Sequence, residues 1–210
     1  MAIVGDGGHA AVCADLAREL GYSICSTFVE SEFATETEPS ALGPQWLSRV
    51  GDTDHNCDDF EGHNWLIAIG NGAARQRLAM RISAEFGRPR FPTIASPSAS
   101  ISSTSEVGEG CVIAAGANVS PNSIVGSFSI LNASSNLEHH SRLGPFSHLA
   151  PGAVILGNAS VGSNCFIGAN SVVGQKVDLP AGSTLGALSF LNKSPIVQGV
   201  FVGSPARLSS

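Results

Sequence analysis

Residues 131–172 read LNASSN LEHHSR LGPFSH LAPGAV ILGNAS VGSNCF IGANSV when cut every six, and each hexad opens on Leu, Ile or Val. Outward from this window the phase holds without a miss, from Ile101, Val107, Ile113, Val119 and Val125 before it to Val173, Leu179, Leu185 and Leu191 after it. The fifth residue of each hexad is small, as in Cys111, Ala117, Ser123, Ser135, Ser141, Ala153 and Cys165, with Val177 the largest. Two inward positions per six residues fit neither a period-two strand nor a 3.6-residue helix. They fit a parallel β-helix in which three six-residue strands make one triangular coil, with aliphatics inside and small residues at the corners. The left hand is what hexapeptide repeats form, against the right-handed preference of ordinary parallel crossovers. The repeat predicts about five turns. Prisms of this kind associate in threes, so a homotrimer is expected, with grooves between chains that suit a ligand.

The chain has 210 residues, 43% of them hydrophobic, and a net charge of −6. Without a Lys/Arg run it offers no basic surface for nucleic acid or for an anionic membrane. No stretch reaches the roughly 18 apolar residues of a membrane helix, and MAIVGDGGHA lacks a basic start followed by a long apolar run, so a cytoplasmic protein with no membrane insertion is expected. Cys13, Cys25, Cys57, Cys111 and Cys165 lack metal-type spacing and read as structural thiols.

The first 95 residues obey a different rule and predict a small α/β, Rossmann-like domain (1–95) ahead of the β-helix (96–210). Strands are expected at Ala2–Val4, Ile24–Val29 and Leu66–Ile69, and helices over Ala10–Leu20 and Ala73–Phe86. Ser31–Glu61 reads as a polar loop with one short helix around Gln45–Val50, and Pro89, Pro92 and Pro97 as a linker. The closing FVGSPARL reads as a final strand and turn.

Two constellations carry chemistry. In the charge-poor repeats, Glu138, His139, His140, Arg142 and His148 gather within eleven residues, with His139 and His148 at outward phases. An imidazole near its ordinary pKa is suited to general-base work. At the other end, Gly5-Asp6-Gly7-Gly8-His9-Ala10 follows a strand, opens a helix and satisfies G-x-G-x-x-A, with Glu30 near the end of the second strand. Glycines there admit a phosphate to the N–H groups of a helix start, whether it belongs to a dinucleotide or to a sugar nucleotide. Gly70 and Asn71 end the neighbouring strand and can share the same crevice.

A strand-GDGGH-helix start, an IAIGN strand end, the segment NLEHHSRLGPFSHLAPGAVILGNASVG and a terminal GVFVGSPARL together resemble the bacterial sugar acyltransferases, among them UDP-4-amino-sugar N-acetyltransferases and sialic acid O-acetyltransferases. The resemblance implies a trimer with acetyl-CoA in the groove between β-helices and a nucleotide-sugar acceptor in the N-terminal domain. It implies that His139 is the general base, that His148 hydrogen-bonds acetyl-CoA, and that Ala169 and Ala187 contact coenzyme A through the backbone; His140, beside the base, is the second catalytic candidate in this chain. Gly7, Gly8 and His9 match the acceptor site. One departure stands out: relatives place Glu straight after the catalytic histidine, where this chain has His140, and Glu138 precedes it. O-acetylation of a sialic-acid-type sugar, a dinucleotide-dependent oxidoreductase and a non-catalytic trimeric scaffold are the competing readings.

Overall fold

The computed structural model describes residues 1–5, 7–30, 38–39, 46–49, 62–86 and 89–209, with backbone alone at 29–30, 38–39 and 46–49. It forms two compact units, one of residues 1–70 and 74–94 and the other of 71–73 and 95–210.

In the first unit, β1 (Ala2–Val4) leads through α1 (Gly8–Glu19) to β2 (Ser26–Glu30), and β3 (Glu38–Pro39), β4 (Trp46–Arg49), β5 (Trp65–Ile67) and α2 (Gly72–Glu85) follow. Among the described residues the sheet order is β3-β4-β2-β1-β5. As expected, β1 lies parallel to both β2 and β5, with Ile3 between Thr27 and Leu66. The short helix expected around Gln45–Val50 is instead strand β4, antiparallel to β2 with Leu47 opposite Val29. The free edge of β2 supplies a ladder of unpaired backbone groups, and pairing with it overrides local preference. The rest of the loop expected over Ser31–Glu61, apart from β3 and β4, lies outside the described residues. Buried Ala10, Cys13, Leu16 and Ala17 on α1, and Leu78, Ala79 and Ile82 on α2, repeat at helical spacing.

The second unit is the left-handed β-helix, with three parallel faces of six, five and eight strands (the last counting one antiparallel closing strand). Partners lie eighteen residues apart, one coil: Leu137 pairs with Val119 and Ile155, and Leu149 with Leu131 and Ile167. The inward aliphatics from Ile113 to Leu191 are buried, whereas Ile101, on the terminal strand of the six-stranded face with no coil below it, is 41% exposed. The small fifth residues also satisfy backbone carbonyls at the corners. Ser129 and Ser147 donate to the carbonyls of Gly144 and Gly162 at 3.0 and 2.8 Å, and the thiols of Cys111 and Cys165 reach those of Gly126 and Pro180 at 3.2 Å. Burial pushes the Cys165 thiol above its ordinary pKa. These thiols are structural.

A second corner rule is visible only in three dimensions. From residue 110 to 188 every sixth residue has a positive φ, whether it is Gly110 or Gly152, Asn122 or Asn158, or Phe128, His140, Lys176 or Leu188. Each coil turns its corners through the left-handed region, which Gly and Asn enter at little cost and other side chains only when the surrounding structure holds them there.

The solenoid is longer than the aliphatic phase implies, at about six turns. Ile94–Ala95 already pairs with Val112–Ile113 as the first strand of the eight-stranded face, and Pro97 sits in a corner turn instead of a linker. Ala95 holds the inward phase there and packs on the core. At the far end Leu185 pairs with Phe201, sixteen residues on, and Phe201 fills the inward place left when the phase is lost after Leu191. Val200–Gly203 then pairs antiparallel with Ala206–Leu208, the closing strand and turn expected of FVGSPARL.

Candidate functional site

His139 and His140 occupy the turn after strand Asn136–Leu137, on the margin where the six-stranded face gives way to the five-stranded one. Both are exposed. His140 is one of the left-handed corner residues (φ 60°), which turns its ring back toward its neighbour. The two Nδ1 atoms lie 3.1 Å apart and the rings meet edge to face at 5.3 Å. Such a contact needs a proton on one nitrogen and a lone pair on the other. His140 Nε2 is 3.3 Å from the carboxamide nitrogen of Asn122, one coil below. One coil above, a Cβ on Gly157 would stand 2.7 Å from Cε1 and 2.8 Å from Nε2 of His139. Gly157 therefore makes the room that the His139 ring occupies; a glycine eighteen residues after a candidate histidine was the signal for it in the sequence. The Glu138 carboxylate accepts from the Ser120 hydroxyl at 3.5 Å.

His148 does not join this pair. It lies half-buried on the eight-stranded face, edge-on to Phe166 at 5.3 Å, with Nε2 3.5 Å from the Asn132 carboxamide nitrogen. Ala169 and Ala187 stack one coil apart on the margin between the eight- and six-stranded faces, where Leu188 N–H donates to the Ala169 carbonyl at 2.9 Å. The histidine turn and the alanine edge thus border opposite margins of one face, and a single chain does not bring them together.

In the α/β unit, Gly7 is the N-cap of α1, with no side-chain cap among the described residues, and its carbonyl accepts from the Ala10 and Ala11 N–H groups at 2.9 and 3.2 Å. Gly5 and Gly7 are glycines for different reasons. Gly5 has φ 129°, and a Cβ there would lie 2.7 Å from the Ala68 carbonyl oxygen, so β1 and the end of β5 could not approach with any other residue. Gly7 and Gly8 have no such constraint: nothing stands within 4 Å of where their Cβ atoms would be. His9 is half-buried, with Nε2 3.6 Å from Cys13 Sγ. Burial and, second, the Arg75 guanidinium hold its pKa below the ordinary imidazole value. Burial likewise pushes Cys13 up to about 12, against the opposing pull of Arg75.

Arg75 itself was not singled out from the sequence. It is 1% exposed and donates through Nη1 to the carbonyls of Ile69 and Gly70 at 2.7 and 2.8 Å. Its phase with Leu78, Ala79 and Ile82 on the buried face of α2 was the available signal. Asn71 follows Gly70 and precedes α2. Glu30 ends β2 with its backbone opposite Trp46, and its side chain and Asp6 lie outside the described residues.

Fold and site together define a class: an α/β unit with a glycine-opened helix, followed in the chain by a hexapeptide-repeat solenoid. Residues 1–82 match the family model of the PglD N-terminal domain, and residues 140–175 match that of the bacterial transferase hexapeptide (six repeats). The resemblance drawn from the sequence is borne out. UDP-N-acetylbacillosamine N-acetyltransferase of Bacillus subtilis is 32% identical over 119 residues, 55% of this chain; the match spans 51% of that relative's length. Among solved structures, PerB from Caulobacter crescentus in complex with CoA and GDP-perosamine superposes with a TM-score of 0.84 at 24% identity, covering 100% of this chain and 96% of that one. The acetyltransferase domain of PglB from Neisseria gonorrhoeae in complex with acetyl coenzyme A gives 0.81 at 24% identity, covering 99% and 98%. These structures establish the fold. Among the described residues no helix is long and apolar enough to cross a membrane.

Proposed function

We propose that this chain is an acetyl-CoA-dependent N-acetyltransferase acting on the amine of a nucleotide-activated amino sugar, with His139 as general base. The observation that carries the reading is the outward His139 imidazole, set in a hollow kept open by Gly157 and joined through Nδ1 to His140. The relatives suggest the substrate class: a UDP-sugar N-acetyltransferase, a complex with CoA and GDP-perosamine, and a complex with acetyl coenzyme A.

In the proposed reaction the amine nitrogen attacks the thioester carbonyl carbon while His139 Nε2 takes the proton the nitrogen sheds. The tetrahedral intermediate collapses with loss of the coenzyme A thiolate, which recovers that proton from the imidazolium. Backbone N–H groups of the groove stabilise the oxyanion. His148 and the Ala169–Ala187 edge hold coenzyme A. Because that edge and His139 lie on opposite margins of one face, a second copy supplies what one chain lacks, which supports the homotrimer.

The acceptor nucleotide belongs at the start of α1. Open space over Gly7 and Gly8 admits a phosphate to the positive end of the helix, and the buried Arg75 cation adds a field of the right sign. His9, held neutral, can hydrogen-bond the acceptor without adding charge, and Glu30, Gly70 and Asn71 complete the expected lining. This reading places the protein in the cytoplasm, preparing sugars for polysaccharide biosynthesis.

Turnover of acetyl-CoA with a UDP-4-amino sugar, beside a hydroxyl acceptor of the sialic-acid type, tests the proposal. His139→Ala should lose about 10²–10⁴-fold in kcat, the usual worth of a positioned base. A variant with undiminished turnover removes His139 from the mechanism, and preference for the hydroxyl acceptor assigns O-acetylation instead.

A further inference from the structure

We infer that Asn122 is a positioning residue, whose carboxamide sets the tautomer of the His139–His140 pair and so decides whether His139 can act as a base. The inference rests on the proposed role of His139.

The geometry is a chain of three side chains across two coils. Asn122 and His140 occupy the same corner position one coil apart, both with positive φ (58° and 60°), and the Asn122 backbone N–H is anchored on Thr104 Oγ1 at 3.3 Å. From Asn122 the contacts run to His140 Nε2 at 3.3 Å, and from His140 Nδ1 to His139 Nδ1 at 3.1 Å. A neutral imidazole carries one N–H and one lone pair, so each link fixes the direction of the next.

Two directions exist. With the carboxamide nitrogen facing His140, as it stands here, Asn122 donates to Nε2, His140 donates from Nδ1 to His139 Nδ1, and the His139 proton is left on Nε2. That nitrogen then cannot accept a proton. A half-turn of the carboxamide presents its oxygen, a pure acceptor. His140 then donates from Nε2 to Asn122, His139 donates from Nδ1 to His140, and His139 Nε2 carries the free lone pair. In the reactive state the oxygen faces His140. A chain of hydrogen bonds thereby does what a carboxylate next to the base would do, fixing the tautomer without adding negative charge. Glu138, the nearest carboxylate in sequence, accepts from the Ser120 hydroxyl.

Three substitutions at residue 122 preserve the corner, because its repeat position accepts Gly at Gly110 and Lys at Lys176 in the same left-handed conformation, and Asp enters that region as readily as Asn. Asn122→Asp offers acceptors only and holds the reactive direction. Asn122→Lys offers donors only and holds the unreactive one. Asn122→Gly removes the link without charge.

The expected order of kcat is Asp at or above the wild type, Gly several-fold below it and Lys about tenfold below, with KM for both substrates unchanged. In parallel, ¹⁵N-resolved imidazole spectra, taken at a pH where both rings are neutral, report which nitrogen of His139 is protonated. The Nε2 of His139 should be unprotonated in the Asp variant and protonated in the Lys variant, a pattern that added charge alone does not produce. Identical tautomer populations in all four proteins, or a kcat indifferent to residue 122, overturn the inference. If His139→Ala is inactive while residue 122 has no influence, only the relay fails. If His139→Ala stays fully active, the base assignment itself fails, and the spectra still report whether the relay exists.

Discussion

In the middle of the solenoid an inward residue is covered by its counterparts eighteen residues before and after, as Leu137 is by Val119 and Ile155, whereas in the α/β unit Ile3 sits between Thr27 and Leu66. The first arrangement repeats one local rule about six times, and the second is assembled once from distant pieces. The solenoid can therefore carry a residue that breaks the rule at one corner, because the neighbouring coils hold the shape. Phe128, His140 and Leu188 in left-handed conformation are such residues. The α/β unit depends on single positions: a Cβ at Gly5 would strike the Ala68 carbonyl where β1 meets the end of β5.

This contrast can be broken in four ways, beginning with the largest effect. Leu149→Ala, in the middle of the stack and 0% exposed, should cost about 2–5 kcal/mol of solenoid stability, read as a lower denaturation midpoint. A negligible change would mean that neighbouring coils collapse into the cavity and that the stack is more plastic than its geometry suggests. Gly5→Ala comes next, at roughly 3 kcal/mol, from a forbidden φ and a Cβ against the Ala68 carbonyl. Gly7→Ala has nothing to collide with, so it should leave the thermal midpoint in place while weakening binding of the nucleotide acceptor, measured by calorimetry. Equal melting of the two variants would erase the distinction between the structural and the open glycine.

A smaller effect sharpens the corner rule. Leu188 is 75% exposed at φ 58°, and Leu188→Asn should stabilise the solenoid by about 1 kcal/mol, since Asn tolerates the conformation that Leu resists.

The smallest effect is the pH dependence contributed by His9. Its pKa is lowered in the folded protein from 6.5, so the unfolded chain binds the proton more readily. The contribution is present in full above about pH 6.5 and is lost as pH falls through the lower folded value. His9→Gln should flatten the decline in melting temperature of the α/β unit below pH 6.5. An unchanged slope would place the titrating groups elsewhere.

Much of the site is readable in the residues because the repeat converts sequence spacing directly into position. Knowing that Leu137 points inward is enough to place His139 on the outer turn, and the eighteen-residue interval is enough to stack Ala187 on Ala169. The same arithmetic fails for His148, which lies close in sequence to His139 but on another face, since nine residues are half a coil. It is silent on Arg75, whose charge masks its place on the buried face of α2, and on the Trp46–Arg49 strand, which exists through its partner β2.

The sequence by itself determined the solenoid, its inward residues, the glycine-opened helix and the outward histidine turn, because each follows from a pattern repeated or completed within a few residues. Tertiary structure alone decided the left-handed corners at residues as unlike as Phe128 and Lys176 and the capture of Ala95 and Phe201 by the ends of the stack. It also decided the line of contacts from Asn122 through His140 to His139. These depend on which atoms meet across coils, and no single hexad contains that information.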